Sequence, residues 1–199
     1  MKNEHRRIFG RCAASLGLLA LAMAGGSIWP MHAAGTDAAS LVANWPESSR
    51  LMALAMIEKH GQPSRSDEQA LTWFGLYRGR RTTVRRARAG AAMIEQVVLY
   101  RVPAHKVDEL KSFDSRITVD REAAEMSAQT DSERTNFLLL NLAHEIASGF
   151  KTVGEAKEFF HAQMQLAKTG KSSRYRDRIL FEDPLPSALP RSGYPPMPN

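Results

Sequence analysis

Six arginines fall within eleven residues of this 199-residue chain: Arg78, Arg80, Arg81, Arg85, Arg86 and Arg88. A guanidinium is a planar fork of donors that holds two oxygens of a phosphate, sulfate or carboxylate at once. The run is therefore a candidate strip for an anionic envelope component or a protein partner. Period-two alternation sends Arg80, Arg86 and Arg88 to one side of a strand and Arg81 and Arg85 to the other. Charge on both sides predicts an edge strand or a protruding hairpin. Guarding such an edge against aggregation is a sufficient cause for the charge, and it is the preferred one. Stacking of nucleic acid would want aromatics among the cations, but Thr82, Thr83 and Val84 stand there. Specific nucleic-acid binding is not expected.

His144-Glu145 is the nearest approach to a catalytic motif. A zinc protease needs a second histidine four positions after the first, on the same helical face, and Ser148 occupies that place. The remaining histidines of the body, 60, 105 and 161, share no ligand spacing with it. No metal and no cofactor are expected. Carboxylates at Asp108, Glu109, Asp114, Asp120, Glu122 and Glu125 could supply acid–base pairs, yet charges at the meeting of a surface helix and short strands are usually solvated. A metal-independent hydrolase using His144 and such carboxylates is the alternative reading. There is no G-x-S-x-G, and Gly75, Gly79 and Gly90 read as sheet punctuation rather than a phosphate loop. Trp45, Trp73 and Phe74 could line a groove, although aromatics at such positions mostly fill cores.

These groups need a scaffold, and the chain divides before one is built. Lys2, Arg6, Arg7 and Arg11 against Glu4 make a basic start, and Ala13 to Ala24 is an apolar run that small residues follow. That is the layout of a signal peptide over residues 1–34, with cleavage after Ala24 or near Ala33 and Ala34. An uncleaved anchor is the competing reading, because no charge falls between Cys12 and Ala34. Arg6-Arg7 invites twin-arginine export, but ordinary secretion fits a chain without a cofactor site better. The leader carries half of the formal +6, so the pI near 9.7 is no nucleic-acid footprint. Cys12 is the only cysteine. Without it the mature chain has no thiol chemistry, cysteine-bound zinc or haem attachment, and its core must hold the fold alone. The expected location is periplasmic or secreted, with no transmembrane segment in the mature chain.

Residues 35–168 read as one domain. Asn44-Trp45-Pro46-Glu47 predicts a capped helix that ends at Gly61. Ala70 to Tyr77, Arg80 to Arg88 and Met93 to Val102 predict a three-stranded meander. Pro103 opens a short helix over Val107, Leu110 and Phe113. Ile117 to Val119 and Glu125 to Ala128 are short strands. Thr130 to Glu133 and Thr152 to Glu155 are two capping boxes, and each starts a helix of a C-terminal hairpin. Segregated helices and strands make this α+β: a small antiparallel sheet against that hairpin and the N-terminal helix. Six of the ten prolines fall in the last sixteen residues, so 169–199 reads as a flexible Pro-rich tail whose removal leaves stability nearly unchanged, with docking of Ile179, Leu180 or Phe181 on the body as the alternative.

The run DSERTNFLLLNLAHEIASGFKTVGEAKEFF, with VDELKSFDSRITVD upstream, resembles a family of exported Gram-negative bacterial proteins with no assigned function. The similarity spans about residues 45–167. It implies export and a single small domain, and it supplies no catalytic residues. The resulting expectation is an exported cell-envelope protein, non-enzymatic, binding through the Arg78–Arg88 hairpin.

Overall fold

The computed structural model describes residues 37–88 and 92–182; the leader and residues 183–199 lie outside the described residues. Two helices come first, α1 (Ala38–Leu41) and α2 (Glu47–His60). Four strands follow: β1 (Arg65–Ser66), β2 (Ala70–Phe74), β3 (Arg81–Arg85) and β4 (Ile94–Leu99). Helix α3 (Val107–Phe113) leads into β5 (Ile117–Asp120) and β6 (Glu125–Thr130). The long helices α4 (Glu133–Ala147) and α5 (Val153–Lys168) precede a single turn, α6 (Arg174–Asp177). The class is α+β, as the segregated periodicities predict.

All strands pair antiparallel in the order β1-β2-β3-β4-β6-β5. Successive side chains alternate between faces, so the register fixes what each face carries. Leu71, Trp73, Val84, Ile94, Val98, Met126, Ala128 and Ile117 share one face, and all are buried. One half of that face packs under α1 and α2, with Val42, Trp45, Ala53 and Met56. The other half packs under α4, with Leu138, Leu139 and Leu142. Trp45 and Trp73 belong to this core, and each indole N–H is satisfied by a carbonyl, of Glu68 and Gly61, at 3.0 Å. The opposite face carries Thr72, Arg81, Arg85, Glu95 and Gln129 with buried Thr83, Val97 and Glu125 among them, and neither hydrophobic cluster includes a residue of it.

Three expectations change. Strand β3 is neither an edge nor a protruding hairpin; it lies between β2 and β4. The arginines tolerate this because they sit at its ends, on the opposite face or beyond it, while Thr82, Thr83 and Val84 between them are buried. Two of the three predicted helix caps, at Asn44–Glu47 and Thr130–Glu133, do not form. Pro46 precedes α2 with no side-chain cap, because burial of Trp45 fixes the chain there instead. Thr130 bonds to Ser132 rather than to α4, since Glu133 turns away toward α2. The third box is complete: Thr152 Oγ1 accepts the Glu155 amide at 3.2 Å, and Glu155 accepts the Thr152 amide at 2.8 Å. Such a cap contributes about 1 kcal/mol.

The tail does not begin at 169. Residues Ser173 to Phe181 form a strap along α4, with Ile179 and Phe181 buried. Asn141, 2% exposed inside the most apolar helix, makes this possible. Its amide donates to the carbonyls of Tyr175 and Arg178 at 3.0 and 2.8 Å, and its oxygen accepts the Leu180 amide at 2.8 Å. Three backbone groups of the strap are thereby satisfied by one side chain of a helix whose own backbone bonds run within it.

Candidate functional site

The arginines do not converge. Arg80 and Arg81, neighbours at the start of β3, both meet Oε1 of Glu125 on β6, Arg80 as an ion pair at 2.8 Å and Arg81 as a donor at 2.9 Å. The Glu125 side chain is only 10% exposed, so the two guanidiniums screen a buried carboxylate. Arg85 pairs with Glu95 at 3.5 Å, and Arg78 with Glu182 at 2.9 Å. Arg86 donates to the Asn44 carbonyl at 3.3 Å, while Arg88 is exposed. An external anion would have to compete with three carboxylates already in place.

His144 sits one turn before the end of α4. Its Nδ1 is 3.0 Å from the Tyr100 hydroxyl and 3.5 Å from Ser148 Oγ, and those two oxygens are 3.2 Å apart. Burial holds the imidazole below its ordinary pKa, against the opposing charge of Glu145. Ser148 is exposed, but it lacks the surroundings of a nucleophile. The amides of Ser148, Gly149 and Phe150 are spent on the carbonyls of His144, Ile146 and Glu145, leaving no donor pair for an oxyanion. The predicted carboxylates are engaged elsewhere: Asp114 with Arg116 at 2.6 Å, Glu109 with Lys106 at 2.8 Å, Asp108 with Lys111, and Asp120 with the Ala123 amide. Glu122 is exposed. Burial pushes Asp114 up, but the hydrogen bonds from Arg116 outweigh it and hold the carboxyl low. Glu145 accepts from Tyr175 at 2.5 Å, and burial together with that bond pushes the Tyr175 phenol up to about 12.

A different place has the form of a site. Between α2 and the start of α4 runs a groove of about 350 Å³, walled by Met52, Ala55, Met56 and Ile94 and by Asp131 to Arg134. Helix α2 lines it with Met52, Ala55 and Met56, on the flank between its core side, at Ala53, and its exposed side, where Leu51 and Leu54 are 55% and 36% exposed. One end is closed by charge. Lys59 Nζ meets Glu133 Oε2 at 2.5 Å, and His60 Nε2 meets Glu133 Oε1 at 3.3 Å. The Tyr77 hydroxyl reaches the same His60 nitrogen at 3.4 Å, and the Lys59 ammonium lies 5.3 Å over the Tyr77 ring. Burial pulls Lys59 down, but its bonds to Glu133 and Tyr77 prevail and hold it above the ordinary value.

Tyr77 and Arg78 take φ of +52° and +65°, a region costly for side chains with a Cβ. That turn is held by Gly79, whose amide donates to Leu76 at 2.7 Å, and by Tyr77 packing edge-on to Phe137 at 4.9 Å. The sequence shows none of this convergence, since Lys59 and Glu133 are 74 positions apart. Its one usable signal is Met52 and Met56 beside two outward leucines, an excess of apolar faces on a surface helix. Among the described residues, no group of three or more His, Cys, Asp or Glu has the arrangement of a metal site. No described helix is long and apolar enough to cross a membrane. No family model matches this chain, and neither a curated protein nor a solved structure matches it.

Proposed function

We propose that this chain is an exported cell-envelope protein that acts by binding rather than catalysis, receiving an apolar segment of a protein partner in the α2–α4 groove. The carrying observation is the groove itself: about 350 Å³, methionine-walled, and closed at one end by the Lys59–Glu133 pair. Its volume falls in the range of binding clefts, and methionine walls adapt to side chains of varied shape. Export is supported by the basic, then apolar, then small-residue order of residues 1–34 and by the resemblance to exported proteins. The arginines are assigned mainly to holding Glu125, Glu95 and Glu182.

A photoreactive side chain at Ala55, in the groove, tests the binding reading in cells. A protein adduct at Ala55, absent when the same group replaces Arg85 on the opposite sheet face, is expected. Adducts from position 85 and none from position 55 would move the site to the arginines. For export, the intact mass of the product in the periplasmic fraction should lack the leader, with a start between residues 25 and 36.

A further inference from the structure

Thr82 and Gln96 stand side by side in the middle of the sheet's core face, on β3 and β4. They are 1% and 4% exposed. In the same row, Trp73 belongs to the half of the core under α1 and α2, and Ala128 to the half under α4. The polar pair therefore marks the seam between two apolar clusters.

Gln96 Oε1 is buried there without a hydrogen-bond partner. A buried amide oxygen with no donor is costly, and nearly all such groups in folded proteins are answered by protein or by ordered water. Turning the amide over does not help, since an orphan donor then replaces the orphan acceptor. Asn136 Oδ1, on α4, is also buried and unpartnered. Gln96 differs because a cavity of about 10 Å³ adjoins it, and Asn136 is not among that cavity's walls. The walls come from every neighbouring element: Leu76 of the β2–β3 turn, Thr82 and Gln96 of the sheet, Phe137 of α4 and Ile179 of the strap.

Size and chemistry select the same occupant. One water takes about 10–15 Å³ of such space and needs at least about two polar partners. Gln96 offers an acceptor, and Thr82 a hydroxyl that both donates and accepts. A metal cation would need about six oxygens, which two side chains do not supply. An organic ligand is too large for the space.

We infer that this cavity is a binding site for one water, which donates to Gln96 Oε1 and bonds to the Thr82 hydroxyl. The water completes β3 and β4 where the two clusters meet, and it belongs to the core as the side chains around it do. The inference is independent of the α2–α4 groove.

A crystal structure of the chain at a resolution that shows ordered solvent tests the site directly. The expected result is a water about 2.5–3.0 Å from both Gln96 Oε1 and Thr82 Oγ1. In solution, oxygen-17 magnetic relaxation dispersion counts the waters that a protein holds for longer than it takes to tumble. Gln96→Met keeps the length of the side chain and removes its acceptor, so it should lower that count by one water. Should that variant unfold, Thr82→Val keeps the shape, removes the other partner and is expected to release the same water. A count that the folded variants leave unchanged overturns the inference. So does a crystal in which the cavity is dry, or in which Gln96 Oε1 meets a donor of the protein itself.

Discussion

Phe181 lies flat on the imidazole of His144, with ring centroids 4.5 Å apart and planes 16° apart. The edge of Tyr100 meets both rings, at 5.3 and 5.4 Å. The chain's last described aromatic is thus fixed to the end of its most buried helix. Phe181→Ala should cost about 2–4 kcal/mol, somewhat below a central core phenylalanine because the strap can adjust. Ending the chain after Lys168 should lower the melting temperature by more than about 5 °C, read by circular dichroism. An unchanged melting temperature would return the strap to the status of a tail.

The same stack sets a pH dependence. Burial depresses the folded-state pKa of His144 below its unfolded value, so the folded state binds the proton less well. Its contribution to stability is full above the unfolded pKa, about 6.5, and is lost as pH falls toward the folded value. Urea midpoints should therefore decline on acidification below about pH 6.5, and His144→Gln should flatten that decline. A steeper decline in the variant would contradict the sign.

Glu125 is buried with two guanidiniums on one oxygen, so its removal differs from theirs. Glu125→Ala strands two adjacent cations and should cost about 1–3 kcal/mol. Arg81→Gln should cost less, since Arg80 keeps the carboxylate paired, and both arginines are partly exposed and screened by water. Replacing Arg80, Arg81, Arg85 and Arg86 together by glutamine should reduce stability while changing retention on an anionic resin only modestly. A large loss of retention with stability intact would restore the anion strip as a binding site.

Gly79 is where the β2–β3 turn meets the sheet. A Cβ there would come within 2.9 Å of the Leu76 carbonyl oxygen and 3.3 Å of the Val97 carbonyl oxygen. Gly79→Ala must shift backbone and should cost about 1–3 kcal/mol. Tyr77→Phe keeps the ring on Phe137 and removes the hydroxyl that meets His60 and Lys59, so a loss of about 1 kcal/mol is expected by chemical denaturation.

The local elements were legible because each is a short-range pattern. Alternating Leu71 and Trp73 marked β2, and Thr152 with Glu155 marked the start of α5. The meander β2-β3-β4 was legible from the turns between its strands, but the flanking β1 and the β6–β5 pair, which place β3 inside the sheet, were not. Arginines that looked incompatible with a central strand fit one when only a single face is core. Of the strap, only the apolar Ile179, Leu180 and Phe181 were legible as residues that could dock; where they dock was not, because Lys171 to Arg178 is as polar as a tail and the anchor is Asn141, on another helix. Asparagines at 136 and 141 in an otherwise apolar helix were the available sign that buried backbone awaited a partner. The groove left no local trace beyond the methionines, since its charged end joins residues remote in sequence.

The strap also fixes when the fold can be completed. A ribosome makes Ile179 and Phe181 after every helix and strand they cover, and the emerging chain clears the exit tunnel later still. Until then Phe137, Leu140 and the Asn141 amide on α4 lack their final cover. Nascent chains fold from the N-terminus as they appear, and here the contacts that close the domain come after its last strand and both long helices. The contacts of Ile179 and Phe181 with α4 therefore form only after both of their partners, helix and strap, have been made.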